Sequence, residues 1–295
     1  MSNLANVSAI IATLDRPEAL GRCLDALLSG EILPAEVIIV DQSKSDATRS
    51  VIEERKNSEV QIIYIRKEQP NASASRNAAI IRTSYPIVAV TDDDCVPDQA
   101  WIATIKRTFN SPLAPDAMTG RVLALGSDDP ELYAVSLRQS IKRTLFSGRV
   151  APWVVGTGGN FAAKREWFNR IGDYDERLGP GSPGKAAEDI DLFYRLLRAG
   201  ATIRYEPDAL IYHQRKNKSG RMMSRWNYGY GTGAFCGIWL CRGDLYALRI
   251  IGYWLLHQCR LLAGAIGSRQ WLQAHQRVLS LRGTVHGLVY GLRVN

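Results

Sequence analysis

Three consecutive carboxylates, Asp92-Asp93-Asp94, close the apolar run Ile87-Val88-Ala89-Val90. Crowded like charges raise one another's cost of ionisation, and aspartate is a poor strand former, so the cluster is not a stabilising device. Two readings fit it. One is a solvated turn ahead of Pro97. The other is a pair of hard oxygen ligands at i and i+2, Asp92 and Asp94, for Mg²⁺ or Mn²⁺, ions that fill their remaining positions with water and substrate phosphates. A second acidic pair, Glu188-Asp189, opens an amphipathic segment ended by Gly200. Acids in a first helical turn favour the helix dipole, and a positioned carboxylate can also take a proton from a hydroxyl. His213 follows the apolar Ala209-Leu210-Ile211-Tyr212. An imidazole there is either a buried side chain bonded to backbone or a further metal ligand.

The elements around these residues alternate. Strands are predicted over 7–12, 37–40, 61–65 and 87–90, and helices over 17–28, with Asp15 as cap, over 46–56 and over 73–82. A helix over 97–109 and a strand over 118–125 follow, then a segment, 127–155, without a readable period. The glycine-rich turn Gly156-Thr157-Gly158-Gly159-Asn160 precedes Phe161-Ala162-Ala163, a loop spans 179–184, a helix spans 188–199, and short strands at 203–205 and 209–212 lead to His213. Such alternation builds a mostly parallel sheet covered by helices, and ligands bind beyond the carboxyl ends of its strands. Thr13, Arg16, Asp41 and the acid triplet all fall at those ends. Asp41 could accept hydrogen bonds from a ribose or base, and Arg76 could meet a phosphate or the base; a turn acid and an exposed helical arginine read the same way.

The succession from Val7 to Thr13, then Arg16 and Val37 to Ser43, is followed in order by Asn71-Ala72-Ser73-Ala74-Ser75-Arg76-Asn77, Thr91-Asp92-Asp93-Asp94, the turn at 156–160 and Ala187-Glu188-Asp189-Ile190-Asp191-Leu192. Between Val7 and His213 the chain resembles a family 2 glycosyltransferase. The resemblance implies a GT-A fold and inverting transfer of a sugar from a nucleotide-sugar donor to a hydroxyl acceptor, a glycan or a lipid-linked glycan. It implies a divalent cation, Mg²⁺ or Mn²⁺, on Asp92 and Asp94 with His213. Donor contacts would come from Thr13, Arg16, Asp41, Arg76, Asp92 and Asp93. Asp189 would be the general base, and Glu188, with Gly158, Gly159 and Asn160, would meet the acceptor. Ala72 and Ala74 stand where glycine is common, and Gln42 where a second acid is frequent, which leaves the donor's base and sugar open. A sugar-nucleotide or carbohydrate-binding protein without catalysis is the alternative; the joint presence of Asp92, Asp94, Asp189 and His213 argues against it.

The chain has 295 residues and a net charge of +8. Twelve Lys or Arg and a single acid, Asp244, follow His213, so the remaining 25 basic and 28 acidic residues make the front slightly acidic. That asymmetry marks two regions with different surroundings: residues 1–215, which the resemblance makes a GT-A domain, and a basic, aromatic-rich helical region, residues 216–295. The segment 245–267 is apolar but carries Arg249, His257 and Arg260. It suits a helix lying in an anionic membrane interface better than one crossing a bilayer. Arg215, Lys216, Lys218, Arg221 and Arg225 add a basic cluster able to meet phosphate or anionic headgroups. The glycines and bulky aliphatics of this tail fit nucleic acid poorly. Five cysteines without a CxxC pair read as reduced thiols, and the N-terminus has no secretory pattern. The expectation is a cytoplasmic protein, peripheral at the inner face of the cell membrane.

Overall fold

The computed structural model describes residues 4–55 and 59–294. The expected helix end at Lys56 and the expected leaderless start at Met1 lie outside the described residues. The first strand, β1 (Leu4–Thr13), consists largely of small and branched side chains and is buried on both faces from Val7 to Ile11, as suits a central strand. It pairs in parallel with β2 (Leu33–Asp41) and β4 (Ile87–Asp92), and β2 pairs in parallel with β3 (Gln61–Arg66). Helices α1 (Pro17–Leu28), α2 (Ala47–Glu53) and α3 (Ala72–Arg82) connect them.

Beyond β4 the sheet is mixed rather than mostly parallel. After β5 (Cys95–Pro97), α4 (Trp101–Phe109), β6 (Ala117–Ala124) and β7 (Thr144–Phe146) comes β8 (Asn160–Lys164), which runs antiparallel between β4 and β6. It is launched in reverse by the glycine-rich turn at the carboxyl edge. Helices α5 (Glu166–Ile171) and α6 (Glu188–Arg198) follow. The two short strands expected before His213 are one strand, β9 (Ile203–His213), whose register against β6 shifts after Gly120. The strand order is β3-β2-β1-β4-β8-β6-β9-β5, with β7 on β9. The expected helix over 97–109 starts only at Trp101, because residues 95–97 pair with β9. Asp15 is not a side-chain cap for α1; it sits at φ 51° and its carboxylate accepts from Lys44 N–H.

Alternation along the strands divides the core. Val7, Ala9, Ile11, Val37 and Ile39 pack against Leu20 and Leu24 of α1 and Trp101 and Ile105 of α4. Ile10, Ile38, Val88 and Val90 pack on the other face, with Ala79 and Ile80 of α3 and Phe193 and Leu196 of α6. A third cluster joins Leu178, Ala187 and Tyr194 to three C-terminal helices, α7 (Lys218–Cys241), α8 (Tyr246–Gly267) and α9 (Trp271–Arg293). Glycines spaced by four, Gly229, Gly233 and Gly237 on α7 and Gly283, Gly287 and Gly291 on α9, bring these two helices into backbone contact. A Cβ on Gly233 would run into the Thr284 carbonyl, and one on Gly287 into that of Tyr230. Among the described residues no helix is long and apolar enough to cross a membrane.

Candidate active site

Parallel register carries Thr13, Asp41 and Asp92 to one edge, with Thr13 beside Asp41 and Ala12 beside Asp92. The chain then turns at Asp93-Asp94 into β5, whose Cys95 pairs with His213. Gln214 N–H donates to the Asp94 carbonyl at 2.9 Å, which locks the turn to the end of β9. A cavity of about 790 Å³ opens over this edge. Asp92, Asp93, Asp94, Arg16, Arg76, Gly158, Gly159, Glu188, Asp189 and His213 all line it.

The acid triplet meets two arginines. Arg16 bridges Asp93 at 3.0 Å and Asp94 at 2.7 Å, while Thr13 Oγ1 donates to Asp93 at 2.7 Å. Arg76, buried, donates to Asp92 and to Glu188, each at 2.8 Å. Burial works to raise the Asp92 pKa, but Arg76, with His213 and Arg16, outweighs it and holds the group below the usual carboxylate value. Asp93 is pushed up to about 7 by burial, which Arg16 only partly offsets and its acidic neighbours reinforce.

Asp94 and His213, with Cys95, are the groups at this edge close enough together that they could hold a metal ion. His213 Nδ1 lies 2.8 Å from the Gln214 carbonyl and donates to it; in the neutral ring the Nε2 lone pair then faces Asp94 Oδ1 at 3.7 Å. Two acceptors that face each other this way suit a cation between them. Cys95 Sγ completes a group of ligand atoms within 4.8 Å of one another. Burial, with Asp92 and Asp94 close by, pushes that thiol well up, so it is a poorer ligand than the carboxylate and imidazole. Asp92 stands outside this group, drawn instead to Arg76.

Asp189 lies across the cavity at the start of α6. Ala187 enters the helix at φ 75°, in the left-handed region, and this kink turns the acid pair inward. Asp189 accepts from Gly158 N–H at 2.9 Å and Ile190 N–H at 2.8 Å. Burial nonetheless raises its pKa above the ordinary value, against those two hydrogen bonds. Burial also raises Glu188, with Arg76 opposing. The glycines of the 156–159 turn have a packing cause: a Cβ at Gly158 would meet Asp189, and one at Gly159 would meet Asp92. Asp191 is tied to Arg195 at 2.7 Å and to Trp239 Nε1 at 2.8 Å, which docks α6 on α7.

Three of the residues singled out from the sequence sit beneath the cavity rather than on its wall. Thr13 reaches it through Asp93. Asp41 is fully buried, its oxygens taken by Ser43 N–H at 2.8 Å and Tyr64 Oη at 2.9 Å. The Asn160 side chain accepts from Trp101 Nε1 and donates to the Arg121 and Ala209 carbonyls, holding β8, β6 and β9 together. Sequence reasoning missed part of the wall. Ser136, Arg138 and Trp153 come from the segment 127–155, and Asn227, Tyr228 and Trp254 from α7 and α8. Trp153 and Trp254 meet edge to face with centroids 5.6 Å apart, and Trp254 Nε1 is anchored on Thr284 at 2.9 Å. Of the basic cluster after His213, Arg215 is spent on Asp128 at 2.6 Å.

A mixed, helix-covered sheet with its polar groups gathered at the strand ends defines an α/β protein that receives a ligand at that edge. The chain belongs to Glycosyl transferase family 2, whose profile matches residues 8–172. It is 24% identical over 244 residues to hyaluronan synthase of Pasteurella multocida, a match spanning 70% of this chain and 24% of that protein. It is also 24% identical over 262 residues to glycosyltransferase AglE of Haloferax volcanii, spanning 86% of this chain and 81% of that one. Among solved structures, the mannosyltransferase PcManGT of Pyrobaculum calidifontis, in complex with GDP-Man and Mn²⁺, superposes with TM-score 0.63 at 15% identity, over 95% of this chain and 87% of that one. TarS of S. aureus gives 0.58 at 15% identity, over 78% and 64%. The chain is a glycosyltransferase by family and GT-A by fold. Glu188, Asp189 and His213 lie beyond the residues that the family profile matches.

Proposed function

We propose that the protein transfers a sugar, with inversion, from a nucleoside-diphosphate sugar to a hydroxyl of a glycan or lipid-linked glycan, with Asp189 as general base. The observation that carries this reading is the position of Asp189, held by two backbone N–H groups across one cavity from the Asp92–Asp94 edge. In a single displacement the acceptor oxygen bonds to the anomeric carbon as the bond to the diphosphate breaks. The hydroxyl proton leaves on the opposite face, to Asp189. A raised carboxylate pKa makes the ionised group a better base. Glu188, fixed by Arg76, orients the acceptor, and Gly158, Gly159 and Asn160 shape the floor under it.

Asp94 and His213 would hold the divalent cation, Mg²⁺ or Mn²⁺, with Asp92 behind them on Arg76. When bound, the ion supplies positive charge for the departing diphosphate. The solved neighbour carrying GDP-Man and Mn²⁺ supports that reading. Arg16 and Thr13 position Asp93 and Asp94 for the donor, and Asp41 shapes the donor edge through the Ser43 loop. The C-terminal helices rest on an anionic membrane surface at its cytoplasmic face. Supporting this, Leu248, Tyr253 and Leu256 of α8 and Trp271 and Val285 of α9 are exposed, with Arg249, Arg260 and Arg282 exposed among them.

The test is Asp189→Asn. Donor consumption, by transfer or by slow hydrolysis, is expected to fall at least ~10³-fold with donor affinity changed less than about threefold. Near-normal turnover would remove Asp189 from this role.

A further inference from the structure

Several arginines around the C-terminal helices have a carboxylate: Arg177 has Asp175, Arg195 has Asp191, Arg198 has Asp244 and Arg215 has Asp128. Arg221 and Arg225 of α7 and Arg277 of α9 do not. Among the described residues none of the three forms an ion pair; Arg225 stands one turn after Arg221 on α7, and its carbonyl accepts from Ser280 Oγ of α9 at 3.1 Å, three residues after Arg277. Arg221 reaches the Gln276 side-chain oxygen at 3.4 Å, Arg277 that of Gln258 at 3.4 Å, and both glutamines are buried. The Arg221 guanidinium lies over the Tyr133 ring at 4.8 Å, and its Nε is buried with no partner. Burial lowers the pKa of Arg225, and Arg277 and Arg221 lower it further. Burial and Arg221 do the same to Arg277. Three half-buried cations held together by neutral contacts are an unfavourable arrangement for the empty protein.

We propose that Arg221, Arg225 and Arg277 form a phosphate-ester binding site beside the catalytic cavity. A dianionic phosphate removes the mutual repulsion and offers three acceptor oxygens to planar guanidinium forks. The site adjoins the cavity along one helix face. Residues 221, 225, 228 and 232 recur at helical spacing, and Tyr228 and Thr232 line the cavity. Arg225 precedes Tyr228 by one turn, roughly 4.5 Å along the axis. On the other side, Trp271, Leu272 and Val278 of α9 are exposed. A phosphate ester bound here would have apolar surface on one flank and the transfer site on the other. The site stands on the arginine cluster alone; its use as the anchor point of a phosphate-bearing acceptor rests on the transfer reaction proposed above.

The experiment compares the full chain with Arg225→Gln/Arg277→Gln and with Asp94→Ala, all in EDTA. Thermal unfolding is followed with and without inorganic phosphate, and flotation is measured with phosphatidylcholine vesicles with and without phosphatidic acid. Removing the repulsion is expected to raise the unfolding midpoint of the double variant without phosphate. Phosphate is expected to stabilise the wild type and Asp94→Ala alike and to lose most of its effect on the double variant. Flotation that requires phosphatidic acid and the arginines assigns the site to a lipid-borne phosphate. A response to free phosphate without flotation assigns it to a soluble ester. An unchanged phosphate response in the double variant, or a wild type indifferent to both phosphate and phosphatidic acid, overturns the proposal. Should the double variant fail to fold, Arg277→Gln alone carries the same comparison. Loss of the Asp94 and Asp189 chemistry leaves this test intact, so the two readings fail separately.

Discussion

Asp93 is at odds with its surroundings, buried between two acids and pushed up to about 7. A carboxyl whose folded pKa exceeds its unfolded one holds extra protons in the native state. Its contribution to stability is therefore full below the ordinary carboxylate value and is lost as pH rises towards 7. In EDTA the protein should lose stability from this group between pH 4 and 7, on the order of 4 kcal/mol as an upper bound. Asp93→Asn should flatten that slope, read from denaturant midpoints across the range; an unchanged slope would show that the group is not the source. Asp189 is also raised, by burial, and as a base it must be ionised. The acid limb of turnover should lie above the normal aspartate range, and a limb below pH 4 would contradict the environment described. The acids and the histidine that line the cavity were legible, because such residues at strand and helix ends have a local signature. Their partners were not: Arg76 reads as an ordinary helical arginine until Asp92 and Glu188, 112 residues downstream of Arg76, close on it.

At the scale of elements, the helix α7 does more than follow the sheet. It packs its Gly231 against Ala186, its Trp239 on Asp191 and its Phe235 on Tyr194, so it steadies the loop and helix that present Asp189. Gly233→Val would force the α7 and α9 backbones apart. The expected cost is ~2–4 kcal/mol, read by chemical denaturation, together with a raised KM for the acceptor. A stability within about 0.5 kcal/mol of wild type would show that the close approach is not maintained. The early strands and helices were readable from their periodicity. The reversed strand β8 and the wall-forming residues of segment 127–155 were not, because their placement follows from pairing with β4, β6 and β9 rather than from local pattern. The pair Asp94 and His213 owes its spacing to the β5–β9 ladder in the same way.

For the whole molecule, the division between an acidic front and a basic tail was visible in charge alone, but not that the tail would wall the cavity with Tyr228 and Trp254. The C-terminal helices share a core cluster with α6 and the loop that precedes it, so the exposed apolar and basic surface of α8 and α9 is tied to the helix that presents Asp189 to the cavity. Replacing Tyr253 and Leu256 by glutamate should abolish flotation with anionic vesicles and leave unfolding midpoints unchanged; retained flotation would place membrane contact elsewhere. The central claim, a cation-dependent nucleotide-sugar site at the Asp94–His213 edge, is tested most directly by thermal shift with UDP-, GDP- and dTDP-sugars, with Mn²⁺ or with EDTA, in wild type and Asp94→Ala. One donor class should raise the wild-type midpoint only with the cation, and Asp94→Ala should lose that rise. A donor shift that persists in EDTA, or one equal in both proteins, would contradict it.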